Sequence, residues 1–200
     1  MKKFKISSFI QLVIASLCLA IGSANAAEWV IDNQSSQLNF ISIKKGNIAE
    51  LHQFDEVQGR LDSQGKFVLN INLASVNTHN AVRDERMAKY FFNVDKFSTA
   101  KLTADIDLLV LDAIAEGASA AIDIDANLNL HGEVQAIKLN VIVTRLVGAK
   151  LSVVSAQPLL LNVEDYSLVS GVNKLMELAK LPSISHAVPV SFYLTFKLKP

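Results

Sequence analysis

The segment NTHNAVRDERMAKYFFN, Asn77 to Asn93, gathers His79, Arg83, Asp84, Glu85, Arg86 and Lys89, then closes on Tyr90-Phe91-Phe92. In a chain that is 50% hydrophobic and only 19% charged, it is the densest knot of ionisable groups. Three chemistries suit these residue types. As a structural latch, Arg83 and Asp84 would bond backbone or each other, Thr78 would cap the turn, and Phe91 and Phe92 would plug the core. As an anion clamp, Arg83 and Arg86 would offer guanidinium forks that match phosphate oxygens. As an acid–base site, His79 would work with Asp84 or Glu85. The latch is the preferred reading, because adjacent opposite charges near a helix start usually serve structure. No nucleophile motif or second carboxylate array accompanies the knot, so no catalytic residue is assigned.

Other groups point less firmly. His52, His79, His131 and His186 are far apart, without H-x-H or H-x3-H spacing, so no metal site is expected. His131 precedes a glycine and reads as a loop hydrogen-bonder. Asp123 and Asp125 lie on the polar side of a strand pattern and lack the glycine and distal glutamate of a calcium loop. Trp29 reads as a plug at one end of the fold. Leu109, Leu111 and Leu159-Leu160-Leu161 exceed strict alternation and read as cover for a helix or as a contact surface.

The elements that must hold the knot follow a period of two. Phe67, Leu69, Ile71 and Leu73 alternate with Val68, Asn70, Asn72 and Ala74. The same alternation runs through Leu102 to Val110, Ile122 to Leu130, Ile137 to Val143 and Val190 to Leu198. Further strands are expected near Trp29 to Asp32, Leu38 to Ile43, Val57 to Leu61 and Lys150 to Val154. Asp62-Ser63-Gln64-Gly65, His131-Gly132 and Gly148 supply short turns, which favour antiparallel neighbours. Val82 to Phe92 reads as a short helix. Val172 to Leu181 reads as a second, with Ser170 as its N-cap and Pro182 as its stop. These features suggest an all-β closed antiparallel barrel or a sandwich, of about eight strands with two short helices. Strands as long as Lys101 to Leu111 favour the barrel. Its interior is filled or holds one small ligand. The candidate cavity residues are Phe40, Leu69, Ile71, Phe91, Phe92, Leu102, Ile106, Ile124, Leu128, Leu139, Val141, Phe192 and Phe196.

The N-terminus reads as an export signal over residues 1–26, which leaves a single domain over 27–200. Met1-Lys2-Lys3-Phe4-Lys5 is basic, Ile6 to Ile21 is apolar, and Ala24-Asn25-Ala26 suits a signal peptidase. The one cysteine, Cys18, falls inside this stretch, so the exported domain would hold no thiol and no disulfide. Without Lys2, Lys3 and Lys5, 16 basic side chains face 19 acidic ones, for a formal charge of about −3. That balance argues against nucleic acid as a partner. The expected compartment is the periplasm or the exterior.

Three motifs resemble the YceI-like family of exported, polyisoprenoid-binding, lipocalin-like bacterial proteins. They are Trp29-Val30-Ile31-Asp32 with Ser36 and Phe40, the stretch Asn70 to Phe97, and Leu128 to Val143 around His131-Gly132. Together they cover nearly all of the chain beyond residue 26. This sequence departs from the family pattern at Ser35, Arg86 and Met87, where the family usually has His, His and Leu, so it is similar to a divergent branch. The resemblance implies a barrel that accepts a long isoprenoid tail, as in a polyprenyl phosphate or a quinone; on the clamp reading above, Arg83 and Arg86 are its head-group candidates. It implies a lipid as partner, no other cofactor and no enzymatic activity. A homodimer is left open. So are two alternatives: an enzyme using the His79/Arg83/Asp84 cluster, and a ligand-free secreted stress or interaction protein.

Overall fold

The computed structural model describes residues 28–199; the expected export signal and Cys18 lie outside the described residues. The alternating segments form twelve strands: β1 (Glu28–Ile31), β2 (Gln37–Lys44), β3 (Ile48–Phe54), β4 (Val57–Leu61), β5 (Lys66–Asn72), β6 (Val76–Asn77), β7 (Thr99–Asp105), β8 (Ser119–Leu130), β9 (Glu133–Leu146), β10 (Lys150–Ser155), β11 (Leu159–Asn162) and β12 (Ala187–Lys199). All pairings are antiparallel. β1 and β2 are one strand interrupted by a single 3-10 turn at Asn33–Ser35. β3 and β4 are one strand interrupted at Asp55-Glu56, and β5 and β6 one strand interrupted by a turn at Leu73–Ser75. β10 and β11 likewise run along the same neighbour, β12. The twelve pieces therefore make eight tracks. β12 pairs back to β1 through Ile31↔Phe196 and Glu28↔Lys199, and this contact closes the barrel.

Three of the breaks lie side by side and are stitched together by side chains. Asn33 Nδ2 donates to the Asp55 carbonyl (2.8 Å) and its Oδ1 accepts from the Val57 N–H (3.0 Å). Ser75 Oγ accepts from the Glu56 N–H (3.0 Å) and donates to the Asn72 carbonyl (2.7 Å). Backbone groups freed from the ladder at each break thus find new partners, as groups removed from water must.

Three helices join the tracks. α1 (Ala81–Arg86) runs directly into a π-helical stretch, Met87–Phe92, in the crossing from β6 to β7. α2 (Leu108–Asp112) joins β7 to β8, and α3 (Val169–Ala179) joins β11 to β12. The strand expected over Lys101 to Leu111 is thus corrected: it ends at Asp105. Asp107 then caps α2, its carboxylate accepting from the Leu109 N–H (2.9 Å). Ser170 is not the N-cap of α3; that position is Leu168, without a side-chain bond. The N-cap of α1 is Asn80, its side chain accepting from the Arg83 N–H (3.1 Å), while Thr78 bonds within the turn before it, its hydroxyl lying 3.4 Å from the Asn80 carbonyl. Leu159-Leu160-Leu161 is strand β11: Leu159 and Leu161 turn inward to the cavity that α3 also lines, and Leu160 faces outward, 71% exposed.

Connections sort α1, α3, the β2–β3 turn and His131-Gly132 to one barrel end. α2, the β4–β5 turn and both described termini go to the other. The centre of the barrel is packed at the α2 end. Phe67 meets Phe196 edge-on at 6.0 Å, Trp29 and Ile31 pack beside them, and Leu61, Leu111, Ile114, Val143 and Leu151 are buried. Arg145 fastens this plug: Nε donates to the Ile114 carbonyl (2.7 Å) and Nη2 to the Leu111 carbonyl (2.6 Å). Replacing Arg145 by alanine removes the side-chain donors to both carbonyls and leaves the Leu111 carbonyl its bond from the Ile114 N–H (3.2 Å), and a loss of roughly 1–3 kcal/mol is expected. A urea midpoint unchanged in Arg145→Ala would count against this fastening.

Candidate functional site

The opposite half of the barrel is hollow. A cavity of about 540 Å³ is walled by Leu69 and Ile71 of β5, Leu102 of β7, Leu128 of β8, Leu139 of β9, Phe40 of β2 and Phe192 of β12. Phe91 and Phe92 of the π-helical stretch roof it, with Val172, Leu175 and Ala179 of α3. Volumes of this size suit one small apolar ligand. Nine of the thirteen candidate cavity residues line it. Val141 and Phe196 are buried in the core but do not reach it. Ile106 and Ile124 lie instead on a separate, more polar cleft where β7 and β8 diverge.

Aromatic rings run as a chain from the roof down one wall. Phe91 meets Phe92 at 4.7 Å, Phe92 meets Phe54 at 5.7 Å, Phe54 meets Phe40 at 5.3 Å and Phe40 meets His52 at 5.1 Å. Roof and α3 touch closely because position 171 is glycine. A Cβ there would stand 2.8 Å from both the Phe91 Cα and the Tyr90 carbonyl oxygen.

The knot of charge holds this roof on the barrel. Asp84 Oδ1 accepts from both the N–H (2.8 Å) and the hydroxyl (2.5 Å) of buried Thr78, where β6 ends. Arg83 Nη2 donates to the Thr78 carbonyl (2.7 Å), and Nη1 meets Glu50 of β3 (2.7 Å). Lys44 also meets Glu50 (2.8 Å). The Lys44 ammonium, more than Arg83, holds the Glu50 carboxyl below the usual carboxylate range, against an opposing effect of burial. Arg86 donates one long bond to the Leu178 carbonyl (3.4 Å) near the end of α3. Thr78, Arg83 and Asp84 therefore come together as the latch geometry requires. Arg83 and Arg86 also line the cavity, while Arg83 is already engaged twice. His79, in a left-handed turn with φ 58°, is exposed and does not line it. Among the described residues its ring bonds neither Asp84 nor Glu85.

His52, Glu50 and the whole of β3 escaped the strand reading. β3 turns Glu50 and His52 inward and Leu51 outward, the reverse of an apolar-in pattern. His52 is only 2% exposed, its Nε2 lies 2.8 Å from the Ser42 hydroxyl, and its Nδ1 has no partner among the described residues. Burial above all, with Arg83 nearby, pushes the His52 imidazole down to about 4, so the ring is neutral near pH 7. The cavity opens to solvent beside Asn80 and Val82, which line it and are exposed, Val82 at 57%. Its polar lining collects there as Ser42, Lys44, Glu50, Arg83 and Arg86, while the α2 end is blind.

A closed eight-track antiparallel barrel, blind at one end and hollow and apolar at the other, defines a lipocalin-like small-molecule-binding architecture. The chain belongs to the YceI-like family: the YceI-like domain model matches residues 29–196. A solved polyisoprenoid-binding domain from Saccharophagus degradans, implicated in plant cell wall breakdown, is 37% identical with a TM-score of 0.84; the match covers 86% of this chain and 98% of that one. BcnA of Burkholderia cenocepacia shares the fold at 17% identity and a TM-score of 0.62, over 82% of this chain and 98% of its own. A UPF0312 protein of Shewanella denitrificans is 30% identical over 141 residues, 66% of this chain and 68% of that protein.

Two outcomes are expected. Gly171→Ala drives a methyl into the Phe91 backbone and should destabilise by roughly 1–3 kcal/mol, with the roof loosened; thermal melting and binding of an environment-sensitive dye to the cavity would read both. Folding favours neutral His52, whereas the unfolded chain protonates it near 6.5. Its contribution to stability is thus complete above about pH 6.5 and is lost as pH falls toward 4, amounting to about 3 kcal/mol. Denaturant titrations of wild type and His52→Leu at pH 7 and pH 4 should show a smaller drop in the variant. Equal drops would sink this assignment.

Proposed function

We propose that this protein is an exported carrier that holds an isoprenoid lipid, such as a polyprenyl phosphate or a quinone, in the apolar cavity. The single observation that carries the reading is the hollow upper half, walled mainly by aliphatic and aromatic side chains, with Lys44, Glu50, Arg83 and Arg86 gathered beside exposed Asn80 and Val82. Similarity to the polyisoprenoid-binding domain of Saccharophagus degradans supports the ligand class. The tail enters blind end first, and the head group stays beside Lys44, Arg83 and Arg86. Burial at about 0.8 kcal/mol per carbon gives roughly 4 kcal/mol gross for one isoprene unit. About five units would approach the practical ceiling on affinity before ordering costs are subtracted. Binding therefore needs no strong polar contact, and the rim need only orient the head. Export to the periplasm accords with the basic, apolar and A-x-A pattern of residues 1–26.

The experiment is native mass spectrometry and solvent extraction of protein recovered from a periplasmic fraction of cells expressing the full chain. A co-purifying isoprenoid and a mature N-terminus at Ala27 are expected. A clean apo mass with an empty extract would refute the carrier reading. Filling the void tests the location: Leu139→Trp and Ala100→Phe should lower lipid occupancy at least about tenfold while the fold melts cooperatively. Unchanged occupancy in both variants would place the lipid elsewhere.

A further inference from the structure

We propose that the rim of the cavity mouth is a docking surface for an anionic lipid bilayer; this rests on the carrier reading above. Three elements meet at the rim. The Lys45-Gly46-Asn47 turn between β2 and β3 carries Ile48, 42% exposed. α1 carries Val82, 57% exposed. The chain leaving α3, Lys180 to Ser185, is zipped onto the end of β2: the Lys45 N–H donates to the Ser183 carbonyl (3.0 Å) and the Ser185 N–H to the Ile43 carbonyl (2.7 Å). Leu181 and Ile184, half-buried on that chain, continue the apolar surface into the cavity. Exposed apolar side chains thus stand in line with the apolar interior.

Charge selects the partner. Lys44, Lys45, Arg83, Arg86 and Lys180 surround the mouth, and the carboxylate among the mouth-lining residues is Glu50, shared by Lys44 and Arg83. Lys45 and Lys180 are exposed and make no ion pair among the described residues. Neighbouring acids are directed elsewhere: Asp84 bonds Thr78, and Glu177 pairs with Lys174 at 2.9 Å. Glu85, three residues after Val82 and exposed, adds one carboxylate beside that side of α1, against the five basic side chains. The mouth is therefore positive on a chain whose residues beyond the expected leader sum to about −3. Basic side chains interleaved with exposed apolar ones are what an anionic membrane surface attracts and a zwitterionic one does not. Seating the mouth on a bilayer would let a tail pass between two apolar media without crossing water.

The test is co-sedimentation with sucrose-loaded vesicles, using protein recovered from cells expressing the full chain. Wild type should bind vesicles containing phosphatidylglycerol, release as salt rises, and ignore pure phosphatidylcholine. The double variant Lys45→Glu/Lys180→Glu should bind at least about tenfold less. Val82→Asp should also bind less, with melting temperatures unchanged. Lys101→Glu/Lys150→Glu alters the net charge identically on the outer wall and should bind like wild type. Equal binding to both vesicle types, or equal losses in the two double variants, would overturn the proposal. So would absence of vesicle binding by protein that carries extractable lipid, which leaves the rim to a protein partner. Lipid content measured on the same samples separates this failure from failure of the carrier reading.

Discussion

The Asp84 carboxylate, accepting both the amide and the hydroxyl of Thr78, is the contact on which the hollow half depends. It fixes the entry of α1 at the end of β6, and Arg83 ties the same helix across to Glu50 on β3. With α1 anchored at two points, the π-helical stretch that follows lays Phe91 and Phe92 over the barrel. Gly171 then lets α3 close against that stretch. Charge-assisted bonds to a buried partner contribute more than exposed ion pairs, so a short polar constellation can support an apolar roof. The densest charge in the chain thus serves to hold grease in place.

The barrel divides its labour along its axis. A large void forgoes dispersion contacts and packing free energy, and a domain with a modest margin of stability tolerates that only if another region packs well. Here the α2 half is filled by Phe67, Phe196, Trp29, Ile31 and the buried leucines, with Arg145 closing the helix end. The other half presents Leu, Ile and Phe side chains that stop short of the axis. His52, Ser42, Lys44 and Glu50 interrupt this lining on β2 and β3, on the wall where the mouth opens.

Much of the fold was legible because the informative strands alternate with their apolar side inward. Phe67, Leu69 and Ile71, or Val190, Phe192 and Leu194, announce both the strand and its buried face. β3 was illegible for a physical reason: its inward positions include Glu50 and His52, while Leu51 faces out. α2 was hidden because Leu108 to Leu111 is apolar throughout, and only Asp107 signals a helix start. The latch was legible from local chemistry in Thr78, Arg83 and Asp84, but not its partner Glu50, which is 33 residues away from Arg83. The extent of the void was not legible. Alternation tells which side chains point inward, not how far along the axis opposing side chains meet. Leu139 therefore lines the cavity while Val141, two residues on and equally apolar, does not.

The row of strand breaks stitched by Asn33 and Ser75 has a mechanical consequence. Below it, β1, β4 and β5 join β7, β8, β9, β10 and β12 in a closed girdle. Above it, β2 and β3 form a hairpin that β2 ties to β12, and β6 contributes only Val76 and Asn77 to the edge at β3. Amide ladders that end at a crease open independently of the ladders beneath them. The wall around the mouth is thus held by its ladder to β12 on one side and by the Arg83–Glu50 contact on the other, so loss of that contact would loosen the wall and leave the girdle shut.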